Sequence, residues 1–245
     1  MHQTVLGQVM LSLDILPILD LAMEHVDKTL PSFALGNQVV ADRDFPALED
    51  FASNNQYNRL KEDRTVSALL EDRYGIEHYE DCDLNGKAMH CFDFGQPIEP
   101  SFVGKYSFCF NDGSTMMILD QRVALNNMIE LLAVNGVLLS QFTVNRHLGF
   151  YNYHPERILS MLSEAGLTLI ATAELALYYD DNEFIHSVFT LGKTPYWEME
   201  RQHTYTPEAV LNNNGKLLTP HIGVWAVLKK SRGDITLGSH KLITR

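Results

Sequence analysis

The chain has 245 residues, 45% hydrophobic and 20% charged, with 15 Gly, 9 Pro and 3 Cys. This excludes low-complexity, collagen-like and disulfide-dense classes and leaves a globular protein long enough for one sizeable core. Lys and Arg number 19 against 31 Asp and Glu, a formal net charge of −12, opposite in sign to what binding along a phosphate backbone requires, so nucleic acid is disfavoured as a partner.

Residues 5–23 are apolar-rich but interrupted by Gln8, Asp14, Pro17 and Asp20, with no basic residue ahead of them. They read neither as a signal peptide nor as a membrane span. Within 8–30, Val9, Leu13, Leu16, Leu19, Met23 and Val26 recur at steps of three and four, predicting an amphipathic helix with Pro17 at its start or at a kink. That extension, 1–30, could pack on its own domain or on a second copy in a homodimer. Residues 32–35 read as a strand entering a Gly36-Asn37 turn, and 45–51 and 65–74 as helices, the second stopped by Gly75.

Strand patterns then recur at 78–83, 88–94 and 106–110, each closed by turn residues. A helix is expected over 120–133, capped by Asn135-Gly136, then a strand over 137–144, a helix over 155–165, and strands over 167–173 and 221–229. Strands alternating with helices imply βαβ units. The expected class is therefore α/β, a doubly wound, mainly parallel sheet of about seven strands with helices on both faces. Residues 174–220 break the rhythm and read as an insertion of loops and short pieces, a hairpin or a lid, within a domain spanning 31–230. The basic stretch 231–245 reads as a tail.

Cys82, Cys91 and Cys109 show no Cys-x-x-Cys spacing, so neither a zinc site nor a redox pair is expected. They read as reduced, buried thiols of a cytoplasmic protein. The ten histidines lack the i, i+4 pairs of a helical metal site, and no metal is expected.

In open parallel sheets ligands bind beyond the carboxyl ends of the strands, where the strand order reverses. The residues at those ends are Gly36, Asn37 and Gln38; Asp83; Asp93 and Phe94; Asn111, Asp112, Gly113 and Ser114; and Asn145, Arg146 and His147. A carboxylate ending the second strand can accept both hydroxyls of a ribose, the role open to Asp83. Asp93 could accept from an exocyclic amine, with Phe94 as an apolar face. The alternative for both aspartates is a turn residue bonding its own backbone. His147 and His154 flank Tyr151 and Tyr153, and a histidine there could serve as a general base.

The run from Asp83 to Pro155 resembles the class I, Rossmann-like S-adenosylmethionine-dependent methyltransferases. The matching pieces are Asp83-Leu84-Asn85-Gly86-Lys87-Ala88, Asp93-Phe94-Gly95-Gln96-Pro97-Ile98, Gly104-Lys105-Tyr106, Asp112-Gly113-Ser114-Thr115, Leu131-Leu132 with Gly136, and the stretch from Gly149 to Pro155. The resemblance implies S-adenosylmethionine as cofactor, held by Gly36, Asn37, Asp83, Asp93, Phe94, Asn111, Asp112 and Gly113. It implies methyl transfer to a small-molecule or sugar-like acceptor, with His147, His154 and Tyr151 as candidate catalytic residues. The sequence departs from the family at two places. The Gly-x-Gly turn is reduced to Ala34-Leu35-Gly36-Asn37-Gln38, and Met116-Met117 stand where Glu-His is usual. The chain thus reads as a divergent member with a degenerate glycine motif. A non-catalytic member serving as a binding or assembly partner is the alternative, with Tyr178, Tyr179, Tyr196 and Trp197 as candidate interface residues. A nicotinamide-dependent oxidoreductase ranks last, because no Gly-x-Gly-x-x-Gly turn is present.

Overall fold

The computed structural model describes residues 10–40, 45–143, 155–180, 183–191, 221–233 and 235. Its elements in chain order are β1 (Met10–Leu11), α1 (Leu16–Met23), β2 (Ser32–Leu35), β3 (Val39–Val40), α2 (Phe45–Asn54), α3 (Asn58–Asp63), α4 (Val66–Tyr74), β4 (Tyr79–Cys82), β5 (Tyr106–Asn111), α5 (Gln121–Leu131), β6 (Leu132–Thr143), α6 (Pro155–Glu164), β7 (Leu167–Asp180), β8 (Glu183–Leu191) and β9 (His221–Lys230). Strands β1 and β3 form a small parallel pair, and the other seven make one sheet in the order β4-β2-β5-β6-β9-β7-β8.

The pairs β4·β2, β2·β5 and β5·β6 are parallel. Strand β9 then inserts antiparallel between β6 and β7, and β8 returns antiparallel on β7. Because β9 runs against both neighbours, β7 keeps the direction of β6. The sheet is therefore parallel in its first half and mixed beyond β6. From β2 the chain first steps outward to β4 and then crosses back to β5 on the other side. The order thus reverses between β2 and β5, and a crevice opens beyond their carboxyl ends.

Helices cover both faces. On one, Leu125, Met128 and Ile129 of α5 and Ile158, Leu159 and Leu162 of α6 pack on Phe33, Tyr106, Cys109, Leu138 and Phe142. On the other, Ile18, Leu19 and Ala22 of α1 join Leu60, Leu69 and Leu70 against Phe108, Phe110, Leu139 and Trp225. Alternation along β5 and β6 divides these side chains, since successive strand residues point to opposite faces. Each large apolar side chain fully buried here contributes roughly 1.5–3 kcal/mol.

Local chemistry sets the helix ends. Thr65 Oγ1 accepts from Ala68 N at the start of α4, and Gly75 closes that helix at φ +71°. Asp120 caps α5 through Val123 N. Lys230, on the last strand, is only 3% exposed. Its Nζ donates to the carbonyls of Ile129 (2.9 Å) and Leu132 (2.7 Å) where α5 ends, a buried cation placed at the negative end of the helix dipole. Burial holds that ammonium below its ordinary pKa. Arg73 of α4 makes a two-pronged pair with Asp20 of α1 at 2.9 and 2.8 Å, and Tyr74 Oη donates to the same carboxylate at 2.7 Å.

Several sequence expectations change. The helix expected over 8–30 is confined to Leu16–Met23, because Pro17 fits only the first turn of a helix; Leu13–Ile15 ahead of it is a 3-10 turn. A further short helix, α3, lies where none was expected. The 88–94 segment is not a strand: Cys82 and His90 form an isolated parallel bridge, and its other backbone groups do not ladder. Helix α5 stops at Leu131, and strand β6 begins at Leu132 rather than after an Asn135-Gly136 cap. Within the expected insertion, residues 174–180 and 183–191 take the hairpin form among the options: β7 continues from Leu167 through Asp180, and β8 returns on it, the two meeting at Asp180↔Glu183. Cys91 is exposed, whereas Cys82 and Cys109 are buried. Among the described residues no helix is long and apolar enough to cross a membrane.

Candidate functional site

Strand β2 is buried along its whole length, so its carboxyl end is fixed by the core. Gly36 follows at φ +96°, a conformation that favours glycine, and its N–H donates to Cys82 O at 2.8 Å. A Cβ at Gly36 would stand 2.9 Å from Ser114 Oγ. The turn therefore lies directly against the one that follows β5. Ser114 Oγ and Gln38 Nε2 both donate to Leu35 O, each at 3.0 Å. Gln38 is 2% exposed, and its Oε1 finds no hydrogen-bond partner among the described residues.

Two aspartates hold the next residue. Asn37 N donates to Asp83 Oδ2 at 3.1 Å, and Asn37 Nδ2 donates to Asp81 Oδ2 at 2.8 Å. Asp81 is buried, and its Oδ1 also accepts from Met89 N at 2.7 Å. Asp83 Oδ1 accepts from Asn85 N at 2.9 Å. Each Asp83 oxygen thus takes one backbone N–H and keeps capacity for one more donor. The turn role and a ribose-accepting role are compatible at this carboxylate.

The structure separates the remaining candidates. Asp93 is exposed, with Oδ1 accepting from Gly95 N at 2.8 Å, the local turn arrangement. Phe94 is 4% exposed and sits among Phe33 and Phe92 in the core, so the expected open apolar face beside Asp93 is turned inward. Asn111 is fully buried; its Nδ2 donates to Thr115 Oγ1 (3.1 Å) and Ser140 Oγ (2.8 Å), and its Oδ1 accepts from Thr115 N (3.3 Å). It fixes the turn after β5 from beneath. Asp112 is half-buried above it, and Gly113 follows at φ +74°. The structure therefore brings Gly36, Asn37, Asp83, Asp112 and Gly113 to the crevice between β2 and β5. His147, Tyr151 and His154 lie outside the described residues, as do Asn145, Arg146, Tyr196 and Trp197.

Two features do not show in the sequence. One is the role of Asp81, whose spacing of two from Asp83 lets both carboxylates reach Asn37. The other is a cluster around Glu80 that anchors the 83–93 loop. Glu80 accepts from Lys105 Nζ (2.6 Å), Tyr106 Oη (2.6 Å) and His90 Nε2 (2.8 Å). The His90 ring stacks on Phe33 and meets Phe102 edge-on at 5.0 Å. Burial alone would raise the Glu80 carboxyl, but the bonds from Lys105, Tyr106 and His90 outweigh it and hold the pKa below its ordinary value. Cys82, beside this cluster, is pushed up to about 11 by burial, so it is an inert thiol at neutral pH. Among the described residues no three His, Cys, Asp or Glu side chains group as metal ligands.

No protein-family model matches the sequence, and no curated protein is recognisably similar to it. Solved structures do align with the fold. A candidate methyltransferase from Bacillus halodurans is 11% identical over 89% of this chain and 99% of its own, with a TM-score of 0.47. The YcgJ protein of Bacillus subtilis is 12% identical over 89% and 98%, also at 0.47. An S-adenosylmethionine-dependent methyltransferase from Clostridium acetobutylicum is 9% identical over 88% and 89%, at 0.36. Likenesses at TM-scores this low decide neither cofactor nor substrate.

Proposed function

We propose that the chain is an S-adenosylmethionine-dependent methyltransferase acting on a small-molecule or sugar-like acceptor. The observation that carries this reading is the junction at the strand reversal. There, Asp83 with spare acceptor capacity, the Gly36-Asn37 turn and the Asp112-Gly113 turn meet, at the positions the sequence resemblance assigns to the cofactor. The ribose hydroxyls would donate to Asp83, while Asn37 and Asp112 would flank the methionyl end. Bound there, the cofactor supplies a sulfonium methyl group open to in-line displacement. The chain's own part is to orient the acceptor and take its hydroxyl proton. On the sequence reading, His147 or His154 accepts that proton, with Tyr151 beside them.

Calorimetric titration with S-adenosylhomocysteine tests the reading. Micromolar binding by the parent, weakened about tenfold or more in Asp83→Asn, supports it. Asn keeps one acceptor oxygen for the local turn and removes the charge and the second acceptor. Absence of binding at millimolar ligand, in a protein that unfolds cooperatively, refutes it.

One observation favours a second reading, a methyltransferase-like fold that acts as a binding or assembly partner. The room that a second glycine would leave beside Gly36 is taken by the buried Gln38 side chain and by Ser114, both tied to Leu35 O. Leu84, Met89, Met117 and Leu119, on the segments following β4 and β5, are 68%, 65%, 55% and 70% exposed, as an interface would require.

A further inference from the structure

The rim of the crevice beyond β2 and β4 is built from two carboxylates and a carboxamide. Asp81 is 9% exposed, and both of its oxygens are engaged: Oδ2 accepts from Asn37 Nδ2 at 2.8 Å and Oδ1 from Met89 N at 2.7 Å. These two bonds join the turn after β2 to the loop after β4. The foot of that loop is closed by His90 N donating to Asp81 O (2.9 Å) and Asp83 N donating to His90 O (3.1 Å). Asn37 N donates to Asp83 Oδ2 at 3.1 Å, so the backbone and the side chain of Asn37 are each fixed by a different aspartate.

The bond to Asp81 decides which end of the Asn37 carboxamide is left over. A carboxylate accepts hydrogen bonds and donates none, whereas a carboxamide has a donor end and an acceptor end. Turned over, the Asn37 amide would set its oxygen against a buried carboxylate oxygen, two acceptors with no proton between them. The Nδ2 group therefore stays on Asp81, and Oδ1 points away from it. Asn37 is half-buried, and its Oδ1 is bonded to no described residue and is not sealed from solvent. Asp83 is also half-buried, and each of its oxygens has room for one more donor. The rim thus holds open oxygens on both Asn37 and Asp83.

We propose that Asp81 is a positioning residue that fixes Asn37 Oδ1 as the acceptor for the ammonium group at the amino-acid end of the nucleoside ligand. This rests on the methyltransferase reading, which puts that end beside Asn37. An ammonium brings three N–H donors and a positive charge that Asp81 and Asp83 both favour, whereas a carboxylate at the same place would meet an acceptor and two like charges. Asp81 touches no ligand in this scheme and acts through the Asn37 amide.

The test is calorimetric titration of the full chain with S-adenosylhomocysteine, with its deaminated analogue and with its decarboxylated analogue. The proposal expects the parent to bind the two amine-bearing ligands roughly tenfold or more tightly than the deaminated one. Asp81→Asn keeps an oxygen for Met89 N but lets the Asn37 amide turn over, so the preference for the amine should be lost. Asn37→Ala, which retains the backbone bond to Asp83, should lose it as well. The double variant should show no further loss beyond Asn37→Ala, because Asp81 acts through that amide. An Asp81 that only supports the loop would weaken all three ligands together and leave their ratio unchanged. A parent that binds the ligands without preferring the amine overturns the proposal and leaves the methyltransferase reading standing. So does unchanged discrimination in either single variant, or a further loss in the double variant. Absence of binding by all three at millimolar concentration overturns both.

Discussion

Replacing Glu80 with Gln removes one charge from the cluster that anchors the 83–93 loop, and the structure sets the size of the effect. The bond from Tyr106, whose ring is fully buried, loses its charge assistance, a difference of about 1–2 kcal/mol. The Lys105 pair is 39% exposed on the lysine side and adds only ~0.5 kcal/mol. His90 keeps a neutral partner. The expected loss at pH 7 is therefore about 1.5–2.5 kcal/mol, read as a lower urea midpoint at unchanged slope. The pH dependence follows from the depressed carboxyl. Because Glu80 titrates lower in the folded chain than its ordinary 4.5, its contribution is fully present above that value. It is lost as the pH falls through the folded-state pKa. The gap between parent and Glu80→Gln should hold constant down to about pH 5 and then close in more acid solution. A gap that is absent at pH 7, or that widens in acid, refutes this account of the cluster.

Other expectations follow from single contacts. Gly36→Ala places a Cβ against Ser114 Oγ at a φ of +96° and should cost about 1–2 kcal/mol in urea unfolding while weakening nucleoside binding. Stability and binding equal to the parent would mean that Ser114 does not hold the turn. Asn111→Ala strips three buried hydrogen bonds beneath the β5 turn and should lower stability by about 2–3 kcal/mol, seen in the same assay. Asp20→Asn breaks the two-pronged link from α1 to α4 and should cost about 1–2 kcal/mol. Hydrogen exchange should then quicken in α1 and α4 rather than in α5.

Much of the fold is written in local signals. The strand endings at Gly36 and Asn111-Asp112-Gly113, the cap at Thr65 and the stop at Gly75 are chemistry that reads directly from residue type. What failed to read is decided by partners distant in sequence. Residues 88–94 carry a strand-like pattern, yet Asp81 and Glu80 bind Met89 N and the His90 ring, so side chains hold the segment where a ladder would otherwise form. Residues 174–180 and 183–191 lie outside any short βαβ rhythm: β7 takes its strand form on β9, far later in the chain, and β8 in turn pairs back on β7. Lys230 reads as the last residue before a basic tail, but the end of α5 supplies carbonyls that draw it into the core. At the candidate site, the position of Asp83 is legible because it is an acidic residue directly after a strand. Asp81 is not, since nothing in its immediate neighbours announces that Asn37 will lie beside it.

The most direct test of the central claim is a crystal structure of the chain grown with S-adenosylhomocysteine. The account predicts ribose hydroxyls within hydrogen-bond distance of Asp83 and the amino-acid end between the Asn37 and Asp112 turns. Ligand bound elsewhere would contradict it. So would a crevice empty at saturating ligand, with Gln38 and Ser114 still bonded to Leu35 O.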